Sequence, residues 1–184
     1  MNEVLKAIKN RRSTRGYKPD QLKQEEIDLI IEVAIHAPTG HNMQPWHFTV
    51  IQDRAVIKRI SDTAKSVMAK MEVDWISRAG RNPDLDITHG APTLVIVSGR
   101  TDAVTWRTDC DAAIENMLIA AQSLNIGSLW VGFAGFCFRV RGEAEKIGVP
   151  NGYEAYYGVA LGYKLDDTPQ PAPKRKTDVV NYIR

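Results

Sequence analysis

Residues 109–125, with the sequence DCDAAIENMLIAAQSLN, decide the fold of this chain. One apolar stripe recurs at helical spacing and comprises Ala113, Ile114, Met117, Leu118, Ala121 and Leu124. Ala112, Ile119 and Ala120 widen the stripe towards the opposite side. A helix that is apolar nearly all round is buried on both sides. We therefore predict a central helix here, and in so small a domain we expect another subunit to cover its second side.

The sequence on either side of this helix predicts shorter helices and strands. Apolar periodicity predicts helices near residues 4–8, 27–35, 56–71 and 141–147. Apolar runs predict strands at 48–51, 93–97, 129–133 and 155–161, and residues 78–92 form a polar loop or lid. The tail after Gly162 carries Pro169, Pro171 and Pro173, so we expect it to be extended. Without a strict βαβ rhythm, the order predicts one α+β domain with a mixed sheet over residues 1–184.

Composition and charge exclude several classes of protein. The 184 residues carry a net charge of +2, which is too small to favour a nucleic-acid binder. Two cysteines, Cys110 and Cys137, are too few for a secreted disulfide framework and wrongly spaced for zinc. The amino terminus lacks a signal-peptide pattern, and no apolar run is long enough to span a membrane. We expect a cytoplasmic protein without a nucleic-acid or membrane partner.

Two basic clusters are candidates for an anion site. Arg11–Arg15, RRSTR, places three guanidinium groups and two hydroxyls directly after the first predicted helix. Arginine binds phosphate oxygens through a planar fork, so such a cluster suits a phosphate group. A solvated basic turn explains the same composition. Lys174–Lys176, KRK, lies in the proline-rich tail, and both clusters converge on one anion only if the fold brings the chain ends together.

A loop rich in amide side chains is the second unusual feature. Residues 38–46, PTGHNMQPW, lie between a predicted helix and a predicted strand. Asn and Gln offer both donors and acceptors, as the pyrimidine edge of a flavin requires. The alternative is a turn whose amides bond to their own backbone.

The ordered set of motifs resembles the nitroreductase family. The motifs are RRSTRGYK, APTGHNMQPWHF, GAPTLVIV, NIGSLWVG, GVALGYKLDD and PAPKRKTDVVNYI, and they cover nearly the whole chain. The resemblance implies a mixed, mainly antiparallel sheet flanked by helices, in an intertwined homodimer. It also implies FMN bound at the dimer interface, with both subunits contacting each flavin.

The resemblance implies a role for each residue that matches a family motif. Arg11, Arg12, Ser13 and Arg15 would hold the phosphate and ribityl chain, and Arg15 would reach towards the N1 side of the ring. Asn42 and Gln44 would contact the ring and ribityl chain, while Pro38, Thr39 and Gly40 would contribute from the partner subunit. Lys174 and Arg175 would complete the phosphate site. Gly132 would let the flavin approach the backbone closely.

The activity implied is that of an NAD(P)H-dependent oxidoreductase. NAD(P)H would pass hydride to the flavin, and a nitroaromatic, quinone or enone would then be reduced in its place, in a ping-pong cycle. No side chain is required as a nucleophile or base, because the flavin carries the chemistry. Two alternatives remain: a branch specialised for dehalogenation or flavin fragmentation, and a non-catalytic flavin-binding protein. The near-minimal length of the chain counts against the specialised branches, which carry extra lid segments.

Other common site motifs are absent from the sequence. It contains neither GxGxxG after a strand nor GxxxxGK[ST], which argues against a Rossmann unit and a P-loop. It contains no HExxH, and the four histidines lack ligand spacing, so we expect no metal. Asp109 and Asp111 lie where a helix start favours carboxylates, and Cys137 is interpreted as a packed thiol.

Overall fold

A computed structural model describes residues 1–166, 168 and 171–184. Its helices are α1 (Glu3–Asn10), α2 (Gln24–Ala34), α3 (Arg54–Met68), α4 (Asp74–Arg81), α5 (Trp106–Ser123) and α6 (Ala134–Cys137). Its strands are β1 (Trp46–Ile51), β2 (Thr93–Arg100), β3 (Ile126–Val131) and β4 (Tyr153–Tyr163). Residues 171–184 contain no helix or strand, as predicted for the tail, whereas Pro169 lies outside the described residues.

The four strands form one sheet in the order β1-β2-β4-β3, and every neighbouring pair is antiparallel. The predicted α+β class and the mainly antiparallel sheet are therefore confirmed. An isolated parallel bridge between Ser13 and Ser128 adds the amino-terminal segment to the β3 side of the sheet.

Helices cover both faces of the sheet. One face carries Val95, Val97, Val159 and Leu161 and belongs to the same core as α2 and α5. The other face belongs to a second core with α3 and α6 and includes Leu94, Ile96 and Ala160. Strand β2 is therefore buried on both faces, which explains its unbroken apolar run.

Helix α5 is central, but its second side is covered within the chain. Helix α2 packs along it, and Asn116 Nδ2 donates to Val33 O at 3.1 Å near the end of α2. Ile119 and Ala112 remain half-buried. The expectation that another subunit covers the second side of α5 is thus wrong for most of the helix, because α2 takes that place.

Three predicted boundaries also differ from the structure. Residues 78–81, at the start of the predicted loop or lid, form the last turn of α4. Gly80 permits close packing there, because a Cβ would lie 2.3 Å from Ala69 N. Strand β3 begins and ends earlier than predicted, because the chain turns into α6 after Gly132. The helix predicted at 141–147 is only a 3₁₀ turn at Glu145–Ile147.

Candidate functional site

The segment after α1 is fixed to one end of the sheet. Thr14 N donates to Ser128 O at 2.9 Å, and Lys18 N donates to Tyr163 O at 2.9 Å. Between these anchors, Tyr17 is 8% exposed and its hydroxyl donates to Thr14 O at 3.0 Å. The backbone that carries the predicted phosphate ligands is therefore held rigidly between α1 and the sheet.

The three arginines of this segment differ in what they contact. Arg12 Nη1 donates to Lys9 O and Arg11 O, both at 2.8 Å, and its Nε donates to Pro171 O at 3.3 Å. Arg12 thus satisfies carbonyl groups at the end of α1 and keeps only Nη2 for a ligand. Among the described residues, Arg11 and Arg15 make no salt bridge, so both guanidinium groups remain available to an anion.

The tail passes beside this segment. The bond from Arg12 to Pro171 O places the tail next to Arg11 and Ser13. Lys174 follows three residues later, which limits it to about 11 Å from Pro171 along the chain. Lys174 and Arg175 are exposed. The fold therefore brings the two basic clusters to one side of the molecule.

The amide-rich loop is anchored at the start of α5. Gly40 N donates to Asp109 Oδ1 at 3.3 Å, and Thr105 Oγ1 donates to Asp109 Oδ2 at 3.1 Å. Asp109 is 4% exposed, so its carboxylate is a buried acceptor shared by loop and helix. Gly40 fits closely against the helix, since a Cβ there would lie 2.3 Å from Thr105 Oγ1.

The loop backbone is strained and presents polar side chains outwards. His41, Asn42 and Gln44 have φ values of 52°, 55° and 44°, in the left-handed region that few side chains favour. Such residues persist where the surrounding structure holds them, often at functional sites. Gln44 Nε2 donates to Asn42 Oδ1 at 3.2 Å, so the loop partly satisfies its own amides, as the alternative interpretation proposes. Pro38, Asn42 and Gln44 are exposed, and Thr39 and Gly40 are half-buried.

Gly132 is exposed at the end of β3, beside a pair of tyrosines. The register of β2 against β4 shifts so that Val97 pairs with Tyr157 and Ser98 with Ala155. Tyr156 is the extra residue of this bulge, and both rings lie against the α5 core, with their centroids 4.0 Å apart. A Cβ on Gly132 would approach only Tyr157, at 3.9 Å. The bulge therefore places an aromatic wall behind the predicted point of flavin approach.

The two halves of the predicted site lie at opposite ends of α5 within one chain. Asp109 holds the amide loop in the first turn of the helix, while Thr14 packs on Gly127, just after the helix ends. From Asp109 to Ser123 the helix alone spans roughly 20 Å. One chain therefore does not bring Thr39–Gln44 to Arg11–Arg15.

Two surface grooves lie outside the predicted ligand set. One, of about 540 Å³, is lined by Lys18, Lys23, Asn125 and Lys164 among others. The second, of about 520 Å³, runs between α3 and residues 83–92, with Tyr17 in its wall. Neither groove is lined by any of the residues predicted to bind the cofactor.

Both thiols are buried and unsuited to catalysis. Burial, followed by the negative charges of Asp111 and Asp109, raises the pKa of Cys110 to about 12. Burial and the charge of Glu143 raise the pKa of Cys137 to about 11, although Arg59, Thr63 and Lys146 oppose the shift. The interpretation of Cys137 as a packed thiol is consistent with these values. Within the part of the chain that the structure describes, no cluster of His, Cys, Asp and Glu suits a metal ion, and no helix is both long and apolar enough to cross a membrane.

Comparison with known proteins agrees with the fold and with the ordered motifs. The model of the nitroreductase family matches residues 8–163. The chain belongs to the nitroreductase family.

Individual members of the family resemble the chain over nearly its full length. A protein of Archaeoglobus fulgidus, described as a candidate NADH dehydrogenase/NAD(P)H nitroreductase, is 33% identical over 91% of this chain and 88% of its own. The crystal structure of a nitroreductase with bound FMN from Bacteroides fragilis is 33% identical, with a TM-score of 0.91 and full coverage of both chains. An iodotyrosine deiodinase of Thermotoga neapolitana is 25% identical over 99% of this chain and 98% of its own.

The last of these relatives corrects one argument from the sequence. Near-minimal length was expected to count against the specialised branches. A deiodinase aligned over 98% of its own length shows that this family fold accommodates such a protein without a large insertion. Chain length therefore does not separate the branches.

Several residues of the site were not found from the sequence. Asp109 was interpreted as a favourable charge at a helix start. That local explanation was sufficient for the sequence, so the hydrogen bond from Gly40 was not predicted. Trp106, in the first turn of the same helix, is 5% exposed and packs against Gly99 in the core. Two adjacent tyrosines, Tyr156 and Tyr157, are a sequence signal of the bulge. In a regular strand they would face opposite sides of the sheet, so two large rings on one side require an irregularity.

Proposed function

We propose that this member of the nitroreductase family is an FMN-dependent oxidoreductase. It would take hydride from NAD(P)H and deliver it to a small acceptor such as a nitroaromatic, quinone or enone, in a ping-pong cycle. The observation that carries the proposal is the rigid segment after α1, which leaves Arg11 and Arg15 without a carboxylate partner among the described residues. The FMN bound to the Bacteroides fragilis nitroreductase supports the choice of cofactor.

The residues present fit the phosphate of FMN. Arg11, Ser13 and the remaining Nη2 of Arg12 are donors on a fixed backbone, and Lys174 and Arg175 lie on the same side of the chain. Charge-assisted hydrogen bonds from guanidinium groups to phosphate are roughly twice as strong as neutral ones. We assign these five residues to the phosphate end.

The remaining residues fit the ring. Arg15 supplies a positive charge near the N1 side, where it stabilises negative charge on the ring and raises the reduction potential. Gly132 offers its backbone without a side chain, and Tyr157 supports it from behind. When bound, FMN supplies the hydride chemistry, and this chain binds it, orients it and sets its electrostatic surroundings.

A symmetric homodimer would unite the two halves of the site. In a dimer with twofold symmetry, Pro38–Gln44 of one subunit meets Arg11–Arg15 of the other, and the contact occurs twice. The outer face of α1 supports this arrangement, because Val4, Leu5 and Ile8 are 62%, 47% and 47% exposed. Ile8→Glu is expected to give a monomer in light scattering and to lose the flavin. A monomeric variant that keeps its flavin would contradict a shared site.

The proposed activity has a direct spectroscopic test. Purified protein is expected to be yellow, to bleach on addition of NADPH or NADH, and to recover its colour with nitrofurazone or menadione. A yellow protein that neither nicotinamide bleaches would indicate a flavin-binding protein without this activity. No bound flavin, even after incubation with FMN, would overturn the proposal.

The phosphate assignment has a separate test. Arg11→Ala and Arg175→Ala should each weaken FMN binding by about 1.5–3 kcal/mol, the usual worth of a hydrogen bond to a charged group. Arg184→Ala removes an exposed guanidinium from the same tail and serves as the matched control. Equal FMN dissociation constants for all three variants and the parent chain would show that the phosphate lies elsewhere.

Reductive dehalogenation is a second candidate, supported by the Thermotoga neapolitana relative. The same assay distinguishes it when 3-iodotyrosine replaces the nitro compound as the acceptor. Iodide release with reoxidation of the flavin, at a rate above that with menadione, would favour deiodination.

A further inference from the structure

A tight turn at Asp86–Gly90 approaches the segment that carries Arg15. The Asp86 carboxylate accepts hydrogen bonds from Gly90 N at 2.8 Å, Thr88 N at 3.0 Å and Ser61 Oγ at 3.1 Å. Thr88 is fully buried, and its hydroxyl donates to the same carboxylate at 2.9 Å. These bonds tie the turn to α3 and fix its backbone.

The turn holds His89 in an unusual conformation at its tip. His89 has φ of 54° and Gly90 has φ of 78°, so two successive residues are left-handed. A histidine in this region is uncommon and persists when the surroundings determine it. The imidazole is half-buried, and among the described residues neither ring nitrogen has a hydrogen-bond partner.

The turn and the amino-terminal segment meet over the end of β4. A Cβ on Gly162 would lie 2.7 Å from Pro92 and 2.9 Å from Tyr17, so both segments pack on the same glycine. Tyr17 and Gly90 also line the same groove. Arg15 and His89 are close neighbours of these contact points along the chain.

The charges around His89 set its protonation. Burial lowers the pKa of His89, the positive charge of Arg15 lowers it further, and the negative charge of Asp86 opposes both effects. Burial also raises the pKa of Tyr17, against the charge of Arg15, so this phenol stays neutral. These surroundings therefore favour the neutral imidazole, and Arg15 acts on it more strongly than Asp86 does.

We propose that His89 takes up a proton when the flavin beside Arg15 is reduced. The positive charges of His89 and Arg15 then together balance the added negative charge of the flavin. The inference rests on the proposed function. A hydride from NAD(P)H brings two electrons and one proton to the flavin, and His89 takes a second proton from solvent. When the acceptor removes the hydride, His89 returns its proton.

The neighbouring charges determine in which direction the pKa of His89 changes when the flavin is reduced. Arg15 opposes protonation of His89, whereas negative charge gained by the flavin favours it and so raises the pKa of the imidazole. Between the two pKa values of His89, reduction takes up two protons for two electrons instead of one. The midpoint potential should then fall twice as steeply with pH in this window as it does above it.

The test is the midpoint potential of the bound flavin between pH 5.5 and 8.5. His89→Asn is the informative variant, because Asn tolerates the left-handed conformation and does not titrate. It is expected to show the one-proton slope throughout, and the potentials of variant and parent should diverge as the pH falls. His47→Asn, in β1, is the matched control, since its imidazole packs near Tyr153 at the opposite end of the sheet.

A steeper slope that persists in His89→Asn would place the proton on the flavin itself and overturn the inference. Proton NMR of the His89 ring gives a second readout, with a higher pKa expected in the reduced than in the oxidised protein. Equal pKa values would also overturn it. A protein that binds no FMN would contradict the proposed function instead. If NAD(P)H reduces the bound flavin but the slope of midpoint potential against pH does not change, only the inference about His89 is contradicted.

Discussion

Gly40 donates its backbone N–H to the buried carboxylate of Asp109 at 3.3 Å. The bond joins a strained, polar loop to the first turn of α5, a central helix. Because Thr105 donates to the other oxygen of Asp109, one carboxylate fixes both the loop and the residue on which Gly40 packs. Helix α5 therefore fixes the position of the loop Pro38–Gln44, which in the proposed dimer would contact the flavin of the partner subunit.

Removal of this carboxylate should loosen the loop more than it destabilises the fold. Asp109→Ala leaves the partly buried Gly40 N–H without its acceptor, at a cost of about 1–3 kcal/mol. We expect the FMN dissociation constant to rise about tenfold or more, since 1.4 kcal/mol corresponds to a factor of ten. Fluorescence titration with FMN measures this change. Asp109→Asn keeps one carbonyl oxygen and should retain most of the affinity, and equal loss in both variants would contradict the role of the Gly40 bond.

The ion pair of Arg59 with Glu143 should stabilise the fold. Glu143 is 6% exposed and also pairs with Lys146 at 2.6 Å, so two basic side chains offset the cost of burying its carboxylate. Losing one partner of a buried charge is costly, but Arg59 is partly exposed, so we expect Arg59→Met to lower the free energy of unfolding by about 1–3 kcal/mol.

A neighbouring pair provides the control for this measurement. Lys58, which directly precedes Arg59, pairs with Asp62 on the same helix. The two side chains are 75% and 57% exposed. Exposed pairs of this kind contribute about 0.3–0.5 kcal/mol, so Lys58→Met should change little. Equal effects of the two variants in urea denaturation would show that burial of Glu143 is unimportant.

The two thiols should be inert in the folded protein. Their pKa values of about 12 and 11 lie well above the ordinary value, so at pH 8 neither forms the reactive thiolate in the folded protein. We expect no reaction with a disulfide reagent before unfolding and two thiols per chain after it.

The same shift has a consequence for stability. The stabilisation from a thiol kept neutral is complete below its unfolded pKa of about 8.5 and is lost as the pH rises towards the folded value. The free energy of unfolding should therefore decline above about pH 8.5. Replacing both cysteines with alanine should remove that part of the decline.

The sequence predicts the parts of the molecule in which local pattern and tertiary burial agree. Helix α5 is apolar nearly all round, strand β2 is buried on both faces, and both are central in the structure. Helix α4 is different, because its polar residues and Gly80 indicate a loop until the close packing on Ala69 is known. The position of His89 near the segment of Arg15 is likewise a tertiary property, because the two residues are 74 positions apart along the chain.

The candidate site shows the same division. Arg11–Arg15 and Lys174–Arg175 are recognisable as basic clusters, and the fold brings the tail to Arg12 through a bond to Pro171 that no composition predicts. The separation of the amide loop from these clusters is also a property of the fold. It follows from the length of α5, which places the two groups at opposite ends of a single chain.

Gly132 provides the sharpest test of where the flavin lies. Its φ is not left-handed, and a Cβ would meet only Tyr157 at an ordinary contact distance of 3.9 Å, so the fold itself does not require glycine here. Gly132→Ala is therefore expected to fold with an unchanged melting temperature. A methyl group would instead occupy the space into which the flavin approaches, so FMN affinity should fall.

Gly135 is the matched control, because a Cβ there would lie 2.8 Å from Tyr156 O. Gly135→Ala should lower the melting temperature through that backbone contact, whereas Gly132→Ala should lower only FMN binding. Thermal unfolding of the flavin-free proteins and FMN titration of both variants separate the two effects. If Gly132→Ala binds FMN as tightly as the parent chain does, the flavin ring does not approach this backbone. The ring would then lie elsewhere along β3, away from Tyr157.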